Sequence, residues 1–225
     1  MKRKHIHKTI VFIFTVILLS GTCLSENMIV PEDPGLDRAA GSQASGALQV
    51  TVEDFPAEGF ILDIGGGGEG IIGQLKGSQV IAIDIRKREL EEAPPGPLKI
   101  EMDARDLKFL DGAFMTATVF FTFMYIDDSD HEKVFQEIHR VLGQGGRLLI
   151  WDVILAERTN PKTKMAFFPL AITLPQKVVK TGYGVRWPES GRPLTHYLDL
   201  AEESGFEVIT NKIEGRWFFI EMIKK

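Results

Sequence analysis

Phe60-Ile61-Leu62-Asp63-Ile64-Gly65-Gly66-Gly67-Gly68-Glu69-Gly70 decides how this chain is read. An apolar run stops at an aspartate, and five of the seven residues after it are glycine. A buried strand ends here and the backbone turns sharply. No side chain then keeps a ligand from the main chain. Asp84 lies fourteen residues beyond Gly70 and closes a second apolar run, Val80-Ile81-Ala82-Ile83. A glycine loop followed by a strand-end carboxylate is how open α/β sheets hold a ribose-bearing cofactor.

Apolar runs alternate with mixed segments from residue 59 onward. The pattern predicts strands at Phe60–Ile64, Val80–Asp84, Leu98–Met102, Ala117–Thr122 and Arg147–Asp152. Val134, Phe135, Ile138, Val141 and Leu142 recur at helical spacing, with Asp130 as N-cap and Gly143 to Gly146 as the stop. Such alternation implies a parallel sheet with helices on both faces. Near the C-terminus, Thr195 to Ser204 reads as a helix closed by Gly205. Phe206–Ile213 and Trp217–Ile223 read as strands joined by a tight Glu214-Gly215 turn, hence antiparallel. Leu155 to Leu194 is an insertion without a clear period.

The 225 residues suit one such domain with a short extension, at 44% hydrophobic and 25% charged residues. Net charge is −5, and Lys2, Arg3, Lys4 and Lys8 contribute four of the positive charges. The remainder is more acidic still and shows no basic patch, which argues against a nucleic-acid partner. The single cysteine, Cys23, lies in the N-terminal apolar segment. The domain therefore has no disulfide, thiolate metal site or cysteine nucleophile, and no metal is expected.

Residues 1–25 have the three parts of a secretory signal: a basic start, an apolar run from Ile10 to Leu19, and small residues through Ser25. They read as a cleaved signal peptide or an apolar membrane-anchor helix. Residues 26–58 read as linker and N-terminal extension. The charge order predicts an anchored or exported domain with membrane contact through residues 1–25. A start at Met28 would instead leave the chain cytoplasmic.

G-x-G-x-x-G alone also fits a dinucleotide loop. Asp63 tilts the choice, because a pyrophosphate binder would not set a carboxylate beside phosphate, whereas a ligand with an ammonium group would welcome it. Asp103 ends the third strand, where it can accept from a purine amine. With Ala82-Ile83-Asp84, Met102-Asp103-Ala104, Phe123-Met124-Tyr125-Ile126 and His139 to Ile150 in this order, residues 59–225 resemble the class I S-adenosylmethionine-dependent methyltransferases. One departure stands out: where the family's D-x-G-x-G-x-G loop has its last glycine, this chain has Glu69, and Gly70 follows.

The resemblance implies a Rossmann-like, doubly wound, mostly parallel seven-stranded sheet with one antiparallel C-terminal strand. It implies S-adenosylmethionine as cofactor. Asp63 would face the methionine ammonium, and Gly65 and Gly67 would pass close to the methionine and ribose. Asp84 would take the ribose hydroxyls and Ile85 would pack on adenine. Asp103 and the Ala104 N–H would read the adenine edge, and Phe121 would floor the methyl site. Methyl transfer needs alignment and exclusion of water, and a base only for a hydroxyl or carbon acid. Tyr125, Asp127, Asp128 and Asp152 are the candidates, with His131 or His196 brought in by loops; Asp127, Asp128 and Asp130 equally suit capping of the following helix, Asp130 above all, and His131 reads as solvent-exposed. The acceptor is expected to be a small molecule, apolar or lipid-like, walled by residues 165–187. A non-catalytic cofactor-binding protein at the membrane and an NAD-dependent oxidoreductase are the competing readings. The sequence does not fix the oligomeric state. Sequencing the mature N-terminus separates the targeting alternatives: Glu26 follows from cleavage, Met1 from an anchor and Met28 from a later start.

Overall fold

The computed structural model describes residues 46–225 except Pro161 and Glu189. The signal or anchor segment 1–25, Met28 and residues up to 45 lie outside the described residues. The main sheet contains β2 (Ile61–Ile64), β3 (Val80–Asp84), β4 (Leu98–Glu101), β5 (Phe114–Phe120), β6 (Leu142–Val153), β9 (Phe206–Glu214) and β10 (Trp217–Lys224). Their order across the sheet is β4-β3-β2-β5-β6-β10-β9. Every pair from β4 to β6 is parallel, and β10 runs antiparallel to both its neighbours. The single reversed strand expected from the sequence is β10. Its hairpin turns on Gly215-Arg216 rather than Glu214-Gly215, since Glu214 still pairs with Trp217 and Gly215 takes φ 62°.

Strand residues alternate between two cores, as a sheet covered on both faces requires. Leu62, Ile64, Ile83, Val119, Ile150 and Phe218 face α3 (Asp128–Val141) and α4 (Leu194–Glu203). Ile61, Val80, Leu149, Trp151 and Trp217 face the other way, toward α1 (Ile71–Lys76) and Leu90 of α2 (Lys87–Glu92). Asp127, not Asp130, precedes the first turn of α3.

The insertion is ordered differently from the sequence expectation. Met165–Leu174 (β7) and Lys177–Arg186 (β8) form an antiparallel hairpin, and β1 (Leu48–Thr51), inside the stretch read as linker, pairs in parallel with β7. This second sheet, not a helix, covers part of the main sheet's second face. Ala166, Phe168, Leu170 and Ile172 enter the same core as Trp151 and Trp217. Period-two alternation was present in β7 but masked by Pro169 and by apolar residues on both faces.

Phe168 is fully buried and carries the Arg216 guanidinium 4.5 Å from its ring centre. Phe168→Ala is expected to cost about 3–5 kcal/mol, read as a lowered urea midpoint of unfolding.

Candidate active site

The loop after β2 closes where β2, β3 and β5 end. The N–H groups of Gly65 and Gly66 both donate to Ile83 O, at 2.8 and 3.0 Å. Gly65 takes φ 73°, and a Cβ there would overlap the Thr122 side chain. Thr122 Oγ1 in turn donates to Ile64 O at 3.1 Å. Thus the end of β5 is pressed against the start of the loop, and only glycine fits between them. A Cβ at Gly66 would lie 2.6 Å from Asp63 Oδ2, and one at Gly67 2.8 Å from Asp84 Oδ2.

Asp63 therefore lies directly beneath the loop. Its side chain is fully buried and accepts a 2.7 Å hydrogen bond from Thr118. Burial, opposed by Thr118 and aided by the charge of Asp84, pushes its pKa up to about 7. Asp84 is partly exposed and accepts from the Arg86 N–H at 2.8 Å. Burial raises its pKa too. Ile85 beside it is 57% exposed, an apolar side chain held at the rim with nothing apolar covering it.

Two acids that sequence reasoning did not assign complete the surroundings. Glu89 is buried against Gly67 and Gly68, and burial raises its pKa. Arg86 answers it at 3.4 Å. Glu69 points away from the loop to the hairpin, where it accepts hydrogen bonds from Thr181 and, at 3.0 Å, from the Tyr183 hydroxyl. Its departure from the glycine pattern was the available signal. Its partners lie 112 and 114 residues away, beyond any local pattern.

Four carboxylates thus surround one glycine turn, with Arg86 as the cation paired to Asp84 and Glu89. Pyrophosphate would be repelled there and a cationic ligand attracted. The turn leaves room for a ligand against the main chain, Asp84 offers a carboxylate at the strand end, and Ile85 offers an apolar platform. These residues fit a ligand that combines an ammonium or sulfonium, a ribose and an adenine. Asp103 is placed beside this rim, but Arg105 engages both its oxygens, from 2.6 to 3.1 Å, and lowers its pKa. An adenine amine would have to share that carboxylate. Ala104 follows in the same turn, half-buried.

Phe121 follows β5 with φ 49°, a conformation that costs a bulky residue on the order of 1–3 kcal/mol. Its N–H donates to Trp151 O at 2.7 Å, and its ring packs 5.7 Å from Tyr183. Tyr125 lies on the other side of Tyr183, 6.5 Å between ring centres. The structure therefore brings together Phe121, Tyr125, Tyr183 and Glu69 over the loop.

The base candidates are dispersed. Asp152 is fully buried and accepts from the N–H groups of Val153 and Met124, with its pKa pushed up to about 7 by burial. Asp127 is exposed ahead of α3. Burial raises the Tyr125 pKa well above its usual value, which makes it a poor base. His131 is not exposed as expected but fully buried, because α4 packs over the first turn of α3. Its Nε2 lies 3.2 and 3.1 Å from the carbonyls of Phe123 and Ile126, so that nitrogen carries the proton. Nδ1, 2.9 Å from His196 Nε2, then accepts from His196 and leaves His196 Nδ1 as an acceptor. Burial lowers both imidazole pKa values, that of His131 to about 4. Among the described residues, ligand atoms of Asp128, His131 and His196 gather within 4.8 Å of one another. Arg192 already pairs with the Asp128 carboxylate, so a cation there would have to displace it.

Residues 62–150, from β2 to the middle of β6, match the family described as methyltransferase domain. A demethylmenaquinone methyltransferase of Thermus thermophilus is 33% identical over 47% of this chain and 51% of its own length. The chain thus spans about half the length of the curated relative it matches. Solved structures agree in fold. An S-adenosylmethionine-dependent methyltransferase of Methanosarcina mazei aligns with TM-score 0.56 at 17% identity, over 76% of this chain and 94% of that one. One from Thermotoga maritima gives 0.55 at 23%, over 76% and 84%. The strand order with its reversed β10 and the solved structures agree on a class I methyltransferase fold, and within it residues 62–150 match the methyltransferase-domain family.

Proposed function

We propose that this chain methylates a small apolar acceptor held between the glycine loop and the β7–β8 hairpin. The observation that carries this reading is the tie from Glu69 to Thr181 and Tyr183. It fixes the hairpin over the loop and sets the aromatic rings of Phe121, Tyr125 and Tyr183 beside it. The name of the Thermus relative points to demethylmenaquinone as its acceptor, in keeping with an apolar acceptor here.

S-adenosylmethionine, when bound, supplies a methyl group on a sulfonium, open to in-line displacement. The protein's share is placement and dryness. Asp84 would hold the ribose hydroxyls and Ile85 one face of the adenine, with Asp103 and the Ala104 N–H at its edge. Gly65 and Gly67 let the main chain approach the ligand, and Asp63 favours the ammonium through its field from beneath the loop. Phe121 and Tyr183 would exclude water from the methyl site. Where the acceptor must lose a proton, His196 Nδ1 is a neutral, partly exposed group among the dispersed base candidates. Asp152, fully buried, has no path to it.

The direct test supplies the full chain with methyl-labelled S-adenosylmethionine and a cell extract, then partitions the products. Label entering the organic phase is expected. Label found only in aqueous products would contradict the apolar acceptor, and no transfer at all would favour a binding protein without catalysis.

Asp84→Ala would lose charge-assisted hydrogen bonds worth about 1.5–3 kcal/mol each. Calorimetry should show S-adenosylmethionine affinity at least tenfold weaker. Tyr183→Phe removes the hydroxyl bonded to Glu69 and keeps the ring on Phe121. Cofactor affinity should stay within twofold while KM for the acceptor rises several-fold.

Asp63 gives a pH signature. An unfolded aspartate titrates near about 4, and the folded one near 7. The folded state then binds the extra proton, so this group's contribution to stability without ligand falls as pH rises from 4 to 7. A cationic ligand favours the ionised form. Its affinity should therefore increase from pH 6 to 8, with proton release measurable by calorimetry in buffers of different ionisation enthalpy.

A further inference from the structure

We infer that the outer face of the β1-β7-β8 sheet is a docking surface for a bilayer containing anionic lipids. In this sheet, residues paired across β7 and β8 share a face. The register joins Met165 to Arg186, Phe167 to Gly184, Pro169 to Gly182, Ala171 to Lys180 and Thr173 to Val178. The opposite face enters the core through Phe168, Leu170 and Ile172. The outer face is left to solvent, with Phe167 and Val178 each 54% exposed and Met165 38%. Phe167 lies flat along the strand opposite, since a Cβ at Gly182 would come 2.5 Å from its ring. Glycines at 182 and 184 thereby give the aromatic ring a shallow bed and keep the surface smooth.

Charge selects the occupant. No acid stands on this face, whereas Lys180 and Arg186 do, and Lys162, Lys164 and Lys177 are exposed around it. From 155 to 194 the chain has seven basic residues and two acidic ones, although its net charge is −5. Apolar side chains interspersed with cations along the hairpin match the boundary between acyl chains and anionic headgroups. A soluble acidic partner would meet the same cations but would leave the bare phenylalanine unexplained.

The chain's path supports the same occupant. β1 is an edge strand of this very sheet, and the sequence leading into it carries the basic and apolar segment of residues 1–25. The roughly twenty residues between them can span about 70 Å when extended. A segment seated in a bilayer would therefore deliver the protein to the membrane by its basic, apolar edge. No helix among the described residues is long and apolar enough to cross a membrane.

The test uses the full chain with Cys23→Ser and a single cysteine at Val178, labelled with an environment-sensitive fluorophore. Val178 is exposed on the proposed docking face and outside the candidate active site, so the substitution should leave the fold intact. A second labelled chain places the cysteine at Ile209 on β9, 55% exposed, as reference. Vesicles of mixed phosphatidylglycerol and phosphatidylcholine should shift the 178 emission to the blue and leave the 209 emission unchanged. Lys180→Glu with Arg186→Glu should weaken that response at least fivefold, and raised salt should weaken it similarly. Three results would overturn the proposal. The two labels could respond alike. The response could be as large on phosphatidylcholine alone. A shift could also arise without vesicles and grow with protein concentration, which would assign the face to a second copy of the chain. None of these readouts requires methyl transfer, so the acceptor reading stands or falls separately.

Discussion

Negative charge held close around a glycine turn is the constraint on which the rest of this structure depends. Asp63 beneath Gly66, Asp84 beside Gly67, Glu89 against Gly67 and Gly68, and Glu69 within the loop would repel one another and any phosphate. Burial makes the arrangement costlier, and the raised pKa values of Asp63, Asp84 and Glu89 are its mark. The fold holds it together by giving each acid a partner. Thr118 bonds Asp63, Arg86 neutralises Asp84 and Glu89, and Thr181 with Tyr183 takes Glu69. What such a site favours is a cation, and the family's methyl donor carries one at the sulfonium and one at the ammonium.

The same turn links chemistry to architecture. Gly65 fits under Thr122 only because β5 lies next to β2, and Asp84 reaches Gly67 only because β3 lies on the other side. The strand order that reverses direction around β2 creates a crevice at the carboxyl ends, as open α/β sheets do at such switch points. The second sheet roofs one side of it. On this side the chain has a hairpin whose inner face packs on Trp151 and Trp217 and whose polar residues bond the loop.

Much of this was legible in the sequence, and the reasons differ by residue. Val80–Asp84 was readable as a strand because a parallel strand buried on both faces is a continuous apolar run. Asp84 was readable because it ends such a run, and Asp63 because it interrupts the apolar run of β2. β7 and β8 were not, since Pro169 and three glycines or prolines nearby suggest loops, and the pairing of β7 with β1 joins partners over a hundred residues apart. His131 looked exposed because first-turn polar residues usually are; α4, distant in sequence, buries it. Glu69 was visible as an oddity in the loop, but its meaning lies in Tyr183, which no spacing rule connects to it. Asp103 shows the reverse case, a residue whose position is as expected and whose oxygens are claimed by its neighbour Arg105.

The central claim is that the acid-ringed turn selects a cationic, phosphate-free cofactor. Titration calorimetry of the full chain with S-adenosylmethionine, S-adenosylhomocysteine and NAD tests it most directly. Saturable one-to-one binding of S-adenosylmethionine, binding of the uncharged-sulfur product and no heat from NAD are expected. Binding of NAD at comparable affinity, or silence toward both sulfur ligands, would contradict it.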